Sequence, residues 1–549
     1  MDEVPSGSRS QESSCELFPP VQSQDMICSA CLMSDVGQVV DNVLMFLWSG
    51  VRSPLSQGNC SGSNYQKSNY MKFTTFTLAF AIIPTLVAFD RPTAAADPNP
   101  LPASTPLNRE IFVDLQRLHS HREVALKPHY PVAQEVVLTC DAPWEGNVSG
   151  YYTFFADDDR FRVYYRGSHY DTAAKKTSHI EVTCYAESKD GIHWVKPKLG
   201  IIEFEGSKEN NIVWTSLATD RNEGGASHNF TPFKDHNPDC PADAKYKAFG
   251  VRNGNGLAAF KSANGVHWSR VQEAPVITDG AFDSQNLAFW DPNKKLYVAY
   301  YRDFRNKKVR DIKLATSPDF IQWTKGEYLN YGDAADEQLY TNAIAPYFRA
   351  PQIYLGFPTR YQPKTEQVEP ILMTSRDGFH FHRWSEPLIP ITAPQDRQGN
   401  RSNYMASGLL QLPGQDREIS LYATEAYYAG PASRVRRFTI RTDGFISLHA
   451  DAIGEVVTKP VSLNGGTMTL NYTVEPGGEL LVELLDSAGK PIPGFTAEDC
   501  VPLTGDEIDQ AVNWKKGSDL SAVSTGPVQI RFVMKSCDLY AMSFSKQAQ

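Results

Sequence analysis

Three acidic side chains, Glu145, Asp283 and Glu337, occupy related places in this chain of 549 residues. Each stands a few residues ahead of an asparagine that opens an apolar or aromatic run. If the three carboxyl groups share one rim, two can act as a protonated acid and an ionised base, and the third can tune a neighbour's pKa. The alternative is that each acid caps backbone N–H groups at a strand end. The recurrence of all three favours the catalytic hypothesis.

Arginine recurs at a second equivalent position, the end of the second strand that each repeat predicts. These residues are Arg166, Arg252, Arg302 and Arg360, and the fifth repeat has Glu425 in their place. A guanidinium group matches a carboxylate or sulfate with two parallel hydrogen bonds, so the series could bind such a group on a substrate. The alternative is a structural ring in which each arginine pairs with backbone carbonyls or blade acids. Because Glu425 interrupts the series, it is a fourth carboxylate candidate.

Other side chains near the same asparagines complete the predicted binding site. The further substrate-binding candidates are His228, Asn286, Tyr340, Asn342, Arg401 and Tyr404. Aromatic rings there, including Trp144, could stack on a flat ligand face. Metal-ligand spacing occurs at Cys28 and Cys31, but no second pair follows it, and His169 and His228 are isolated. The sequence has no glycine-rich phosphate loop and no Gly-x-Ser-x-Gly elbow, so we expect no metal and no other cofactor.

A short phrase repeated along the chain predicts the elements that would position these residues. It reads Ser-x-Asp/Asn-Gly-x-His-Trp in its best copies. The copies occupy 188–194, 262–268, 317–323 and 375–381, with a degenerate copy at 443–445. Asp-Gly and Asn-Gly accept the positive φ of a tight turn, so each copy predicts a hairpin whose aromatic residue packs between sheets.

A second marker precedes each copy of the phrase. It is an asparagine followed by an apolar run, at Asn147, Asn229, Asn286, Asn342 and Asn403. The two markers define five units of about four short strands. Such units pack radially, which predicts an all-β fold with a five-bladed β-propeller at 130–454. An irregular β-sandwich is the alternative, and five copies of two separate markers argue against it.

The repeat ends near residue 455, where alternating strands separated by Gly and Pro turns begin. This change predicts a C-terminal β-sandwich at 455–549. Ahead of the repeats, residues 97–129 form a leader whose apolar stretch 111–114 could complete or brace the ring. Cys500 and Cys537 lie in the C-terminal part and could bridge in an oxidising compartment.

The N-terminal region predicts export. Residues 71–96 have the pattern of a secretory signal: Lys72 is positive, 76–89 are apolar, and small residues precede Asp97. We therefore expect cleavage near Asp97, a secreted or periplasmic protein, and no stable membrane span afterwards, because the apolar run is short. Residues 1–70 are interpreted as a mis-called or disordered extension. A cytoplasmic extension with an uncleaved anchor is the alternative.

Composition narrows the class of partner. Aromatic residues make up 11% of the chain and charged residues 21%, which suits a globular all-β protein. The formal net charge of −10 argues against a nucleic-acid backbone as the main partner, since proteins that bind one usually present a basic face.

The five predicted blades and the C-terminal β-sandwich resemble the five-bladed propeller glycosidases of the invertase–levanase and arabinanase–xylosidase groups. The hairpin phrase is similar to the sialidase Asp-box, shortened by one residue between Asp and Gly. The chain also resembles uncharacterised exported bacterial proteins described as glycosyl-hydrolase-like. The invertase motifs built on Asn-Asp-Pro, Arg-Asp-Pro and Glu-Cys are absent, so their catalytic roles do not transfer residue by residue.

The resemblance implies an exported glycoside hydrolase acting on an oligo- or polysaccharide through carboxylates in the propeller funnel. Such hydrolysis needs two carboxyl groups, one protonated and one ionised, because its transition state resembles an oxocarbenium ion. A non-catalytic glycan-binding propeller is the alternative. A third hypothesis, a structural or protein-interaction propeller, predicts a funnel blocked by apolar side chains.

Overall fold

The computed structural model describes most of the chain after its N-terminal region. The described residues are 108–215, 225–251, 256–389, 403–463, 466–523 and 526–545, with the backbone alone of 395–396 and 400–401. The predictions made for 1–70 and for the signal at 71–96 lie outside these residues. Within them there is no α-helix, and three short 3₁₀ turns occur at Ala226–His228, Ala242–Ala244 and Ser521–Val523.

Five antiparallel sheets follow one another along the chain, which confirms the predicted all-β fold and its five-bladed propeller. Blade 1 consists of Gly150–Asp157, Arg160–Gly167, Val182–Ser188, Trp194–Val195 and Ile212–Thr215, beside a hairpin of Tyr170–Asp171 and Lys176–Thr177. Blade 2 consists of Thr231–Lys234, Tyr246–Val251, Leu257–Ser262 and Ser269–Arg270. Blade 3 consists of Leu287–Asp291, Leu296–Arg305, Val309–Ser317 and Glu327–Tyr328.

Blades 4 and 5 depart from the plain four-stranded pattern. Blade 4 consists of Gln338–Thr341, Ala345–Tyr347, Ala350–Gly356, Thr359–Gln362, Gln367–Ser375 and His382–Pro387, followed by a two-stranded ribbon of Gln395–Asp396 and Asn400–Arg401. Blade 5 consists of Glu418–Glu425, Arg434–Arg441 and Val132–Thr139. Its third strand comes from ahead of blade 1, so strand pairing between distant parts of the chain closes the ring.

The four full copies of the repeated phrase form the same turn at the outer parts of blades 1 to 4. In the first copy, Ser188 Oγ accepts a hydrogen bond from the Gly191 N–H (2.8 Å), and Asp190 Oδ1 accepts one from the His193 N–H (2.8 Å). The Trp194 indole N–H donates to the Gly191 carbonyl at 3.1 Å. The side chains therefore satisfy the backbone groups that the turn leaves unpaired, which is why the phrase recurs.

The phrase also joins each blade to its neighbour, because an aromatic residue of one blade contacts the phrase of the next. The tyrosine hydroxyl contacts are Tyr164 with Gly265 O (2.7 Å), Tyr300 with Gly378 O (2.6 Å), Tyr347 with Asp443 Oδ1 (2.7 Å) and Tyr422 with Gly191 O (2.8 Å). At the remaining joint Phe249 stacks on Phe320, with ring centroids 5.1 Å apart. The five joints form a closed circuit around the propeller.

The joint at Gly378 gives a stability prediction. Gly378 has φ +75°, and a Cβ atom there would lie 2.6 Å from the Tyr300 hydroxyl oxygen. Gly414 has a nearly equal φ of +73° with nothing within 4 Å of a Cβ atom. Gly414→Ala should therefore cost only the left-handed backbone, about 1 kcal/mol, whereas Gly378→Ala should cost about 2–4 kcal/mol because it also disrupts the joint. Thermal unfolding of both variants measures the difference, and equal melting temperatures would contradict it.

The leader and the C-terminal region form one further sheet. Its strands are Arg109–Ile111, Leu118–Arg122, Ala125–Pro128, Ile446–Thr458, Val461–Ser462, Met468–Leu485, Gly505–Ala511 and Pro527–Phe544. Their apolar side chains share one buried cluster that includes Val482, Trp514 and Phe532. Cys500 and Cys537 belong to this cluster and are not bridged.

The stretch 111–114 lies at the junction between this C-terminal sheet and blade 4. Arg376 of blade 4 binds the Asp114 carboxylate at 2.8 Å and Glu110 at 2.5 Å. Ile111 and Val113 pack in a buried cluster with residues of blades 4 and 5. The leader therefore braces the propeller through the C-terminal sheet.

Candidate functional site

The five repeat asparagines are buried, and the side-chain amide of each donates to a backbone carbonyl. Asn229 and Asn286 both donate to the Phe282 carbonyl, at 2.7 and 2.8 Å. Asn342 donates to the Gln285 carbonyl at 3.1 Å. Asn286 and Asn342, which the sequence predicts as substrate contacts, thus use their side-chain amides to position the segments that carry other residues.

Five side chains, one from each blade, meet where these segments converge, and we call them the funnel ring. They are Tyr151, His228, Asp283, Tyr340 and Tyr404. The Tyr151 and His228 ring centroids are 5.6 Å apart, and His228 Nε2 lies 3.2 Å from Asp283 Oδ1. The Tyr340 hydroxyl lies 3.5 Å from Asp283 Oδ2, and the Tyr340 ring centroid is 5.8 Å from that of Tyr404. The side chains of the funnel ring are therefore polar or aromatic, and none is aliphatic.

Two further residues, Arg166 and Tyr427, complete the circuit between Tyr404 and Tyr151. The Tyr404 and Tyr427 ring centroids are 5.3 Å apart, and Arg166 Nη2 donates to the Tyr427 hydroxyl at 2.8 Å. The Arg166 guanidinium carbon lies 4.9 Å from the centroid of the Tyr151 ring. Arg166 itself is fixed by two hydrogen bonds to the Val148 carbonyl.

Backbone irregularities present several of these side chains. Tyr151 has a positive φ of 56°, at a register shift between the first two strands of blade 1. His228 ends the 3₁₀ turn that follows Gly225, whose φ is 115°. Tyr340 lies at a bulge between Leu339 and Thr341. Left-handed backbone at a non-glycine residue is energetically costly, and such residues are concentrated at functional sites. The conformation of Tyr151 therefore supports the funnel ring as the functional site.

His228 contacts three charged side chains, those of Glu181, Asp283 and Arg166. Its Nδ1 lies 2.9 Å from Glu181 Oε2, and its Nε2 faces Asp283. Both ring nitrogens therefore face carboxylates, an arrangement that suits the doubly protonated imidazolium, because it has two donors. Arg166 Nη1 stands 3.1 Å from the same ring.

The pKa values follow from this arrangement. Burial raises the pKa of the Asp283 and Glu181 carboxyls, but the hydrogen bonds to His228 and the neighbouring positive charges outweigh burial and bring each pKa to about 2. Burial and the Arg166 charge lower the pKa of His228, and the two carboxylates reverse this, so the pKa of His228 is raised above its ordinary 6.5. Burial, together with the Asp283 charge, raises the pKa of Tyr340 to about 12.

The arginines predicted to occupy equivalent positions do not all reach the funnel. Arg302 reaches the funnel: its Nε donates to the Ala281 carbonyl at 2.7 Å, its Nη2 lies 3.9 Å from Asp283 Oδ2, and it covers the Tyr340 ring at 5.3 Å. Arg360 binds Glu369 at 2.7 Å within blade 4. Arg252 lies outside the described residues, as does the side chain of Arg401.

Three predicted carboxylates have other partners. Glu145 is 2% exposed inside blade 1, where it accepts hydrogen bonds from Lys196 (2.6 Å) and the Tyr165 hydroxyl (2.5 Å). Glu337 pairs with Arg360 at 2.8 Å and with Arg383 at 3.4 Å. Glu425, likewise buried, pairs with Arg434 at 3.1 Å and with Arg436. Of the predicted carboxylates, Asp283 is the one in contact with His228.

Glu181 is a site residue that the sequence reasoning missed. It stands directly before Val182, the first residue of the third strand of blade 1, and Val182 pairs with Gly167, the last residue of the second strand. Neighbouring antiparallel strands share an end, so the residue ahead of the third strand returns to the face that Arg166 occupies. The signal was therefore the start of the third strand, which neither repeat marker includes.

The described residues contain no group of three or more His, Cys, Asp or Glu side chains arranged to hold a metal ion. In that same part of the chain, no helix has the length and apolar character needed to cross a membrane.

Comparisons with known proteins give a distant likeness. No protein-family model matches the chain, and neither does any curated protein. One similar solved structure is titled "Glycoside hydrolase" (12% identity, TM-score 0.39, 56% of this chain and 92% of that chain). A second is a fructofuranosidase from Schwanniomyces occidentalis complexed with fructosylnystose (12%, 0.36, 76% and 98%). A third is a β-1,2-mannobiose phosphorylase from Listeria innocua (12%, 0.39, 57% and 96%).

Proposed function

We propose that this protein is an exported glycan-acting hydrolase whose reaction takes place at the funnel ring. The observation that carries the proposal is the line Glu181–His228–Asp283, in which a protonatable imidazole stands between two carboxylates at the centre of the propeller. Hydrolysis of a glycosidic bond requires a proton donor for the leaving oxygen and a carboxylate to stabilise the positive charge that develops on the sugar.

Asp283 is suited to the carboxylate role. Its side chain keeps 63% of its surface exposed, so a sugar ring can approach it. With a pKa of about 2 it stays ionised through the neutral range. It can therefore stabilise an oxocarbenium-like transition state directly or form a bond to the anomeric carbon.

His228 is suited to the proton-donor role. Both carboxylates are ionised at neutral pH, so neither offers a proton, whereas the raised pKa of His228 favours its imidazolium form. A glycosidic oxygen that enters between His228 and Asp283 would take the Nε2 proton as its bond to the anomeric carbon breaks. Water would then supply hydroxide to that carbon and return a proton to the ring. Glu181 at Nδ1 holds the ring in the orientation this step needs.

The substrate is proposed to carry a carboxylate or sulfate that Arg302 binds. The Arg302 guanidinium lies beside the Asp283 carboxylate. Among the described residues, its side-chain hydrogen bond is the one from Nε to the Ala281 carbonyl. Arg166, by contrast, donates hydrogen bonds to the Val148 carbonyl and the Tyr427 hydroxyl. An added anionic group could pair with the two terminal nitrogens of Arg302, since a guanidinium fork matches such groups bidentately.

Arg302→Ala tests this assignment. Loss of a charge-assisted hydrogen bond should raise the KM for a sulfated or carboxylated substrate by about 10- to 100-fold, while a neutral analogue keeps its KM. Arg417→Ala, which removes a half-exposed arginine from the opposite end of blade 5, serves as the control and should change neither value. An equal rise for the charged and the neutral substrate would contradict an anion site at Arg302.

The proposed function is tested by a panel of neutral and sulfated glycans, with released reducing ends as the readout for cleavage and calorimetry as the readout for binding. Cleavage supports a hydrolase.

A glycan-binding propeller is the second candidate. It is favoured by the pKa of about 2 at both Asp283 and Glu181, because the cluster then lacks the protonated carboxylic acid that most glycosidases use. Tight binding without turnover would select that candidate, and the absence of both would reject the glycan site.

A further inference from the structure

Five tyrosines form a line that begins at the funnel ring and continues over the strand ends of blades 5 and 1, and we call them the tyrosine track. In spatial order they are Tyr340, Tyr404, Tyr427, Tyr428 and Tyr170. Successive ring centroids are 5.8, 5.3, 4.8 and 5.5 Å apart. All five are partly exposed, whereas tyrosines that join or fill the blades, such as Tyr164 and Tyr300, are fully buried.

The backbone that carries the middle of the track is held in an unfavourable conformation. Ala426 and Tyr428, on either side of Tyr427, have positive φ values of 56° and 62°. Such backbone persists at non-glycine residues only where surrounding contacts impose it, and it is concentrated at ligand sites. Glycine would adopt the conformation of Tyr428 at lower cost, so the strain at this position points to a requirement for the Tyr428 ring.

Asn147 forms hydrogen bonds to the backbone of both tyrosines at the outer end of the track, Tyr170 and Tyr428. Its side chain accepts a hydrogen bond from the Tyr170 N–H at 2.9 Å and donates to the Tyr170 carbonyl at 3.1 Å. Its own carbonyl accepts from the Tyr428 N–H at 2.8 Å. One buried asparagine therefore sets two tyrosines from different blades side by side, which makes the track a built surface rather than a chance line of rings.

We propose that the tyrosine track binds the successive sugar units of a glycan chain whose reacting unit occupies the funnel ring, so that the substrate is an extended oligo- or polysaccharide. This inference rests on the proposed function of the funnel. Tyrosine combines a rigid apolar ring face with a hydroxyl group, and a sugar ring has both an apolar C–H face and polar edges. The track is continuous with the site because Tyr340 belongs to the funnel ring and also contacts Asp283.

The experiment uses Tyr170→Ala and Tyr428→Ala, two changes at the outer end of the track that leave the Asp283 and His228 contacts in place. Tyr130→Ala is the matched control, since Tyr130 is 46% exposed and has no part in the track. The probes are a ladder from disaccharide to octasaccharide, prepared from the glycan of the panel that the unmodified protein cleaves or, if none is cleaved, binds. Unchanged melting temperatures establish that the variants are folded.

For the unmodified protein, kcat/KM should rise with chain length until the track is filled. Each track variant should lower kcat/KM on the octasaccharide about two- to tenfold, chiefly through KM, and leave the disaccharide unchanged. Tyr130→Ala should match the unmodified protein at every length. For a glycan bound without turnover, the same pattern should appear in the dissociation constants.

Three results would overturn the inference. If the unmodified protein shows no dependence on chain length, or if the track variants lose as much on the disaccharide as on the octasaccharide, the track does not bind sugars, while cleavage itself still supports the proposed function. If no glycan is either cleaved or bound, the proposed function fails, and the track fails with it.

Discussion

Asp283→Asn is expected to lower kcat by about 10²–10⁴-fold while the protein still binds its glycan. The amide is nearly the same size as the carboxylate, but it carries no charge to stabilise the transition state and cannot form the bond to the anomeric carbon. Because 63% of the Asp283 side chain is exposed, the change should not unfold the propeller. Turnover under saturating substrate, together with the dissociation constant from calorimetry, separates lost catalysis from lost binding.

Glu337→Gln is the informative comparison, because the sequence also predicts Glu337 as catalytic. In the structure Glu337 pairs with Arg360 and Arg383 in blade 4, so its amide variant should change kcat far less than Asp283→Asn does. Similar losses in both variants would restore the pair predicted from the sequence. Unchanged turnover in Asp283→Asn would remove this residue from the mechanism.

Replacing His228 by glutamine is expected to lower kcat by a similar factor and to remove the alkaline limb of the pH–rate profile. The sign follows from the role: the imidazolium donates a proton, so activity should be full below the pKa of His228 and fall as the pH rises through it, above 6.5. Asp283 and Glu181 ionise at about 2, so they should add no limb near neutrality. The profile is measured as kcat against pH for a substrate without titrating groups.

Glu181→Gln tests the positioning of His228 with a readout that a merely structural residue would not move. Loss of this carboxylate removes one of the two interactions that raise the pKa of His228, so the alkaline limb should move to lower pH. A variant of Arg166 would not be a suitable control, because the Arg166 charge also acts on the His228 ring. An alkaline limb that stays in place in Glu181→Gln would contradict the assignment of that limb to His228.

Local turn chemistry explains why the repeat was readable from sequence. The Ser and Asp or Asn side chains of the phrase make their hydrogen bonds within a few residues, so similar sequences give the same turn in blades 1 to 4. By contrast, the pairing of Val132–Thr139 with Arg434–Arg441 depends on contacts between distant residues, and no short pattern signals it.

The candidate site was partly readable for the same reason. His228, Asp283, Tyr340 and Tyr404 stand near the repeat asparagines, and the structure brings them into contact. Glu145 occupies a similar position in sequence, yet its backbone N–H closes a turn onto Ala142, and its carboxylate is directed into the blade toward Lys196. Equivalent positions diverge in space because the turns ahead of the first strands differ and because side chains change face at every residue of a strand.

The closing strand of blade 5 also sets the order in which the molecule can be completed. Glu135 on this strand binds Arg437, which is 302 residues later in the chain. During synthesis Val132–Thr139 therefore leaves the ribosome long before its partner strand exists. Its backbone N–H and C=O groups on that side stay unpaired while the first four blades form. Pairing over such a separation is slow, and a waiting strand is open to pairing with another chain. Translation that stops before Arg441 leaves a propeller with an open seam, so the ribosome's progress to that point controls whether the ring can close at all.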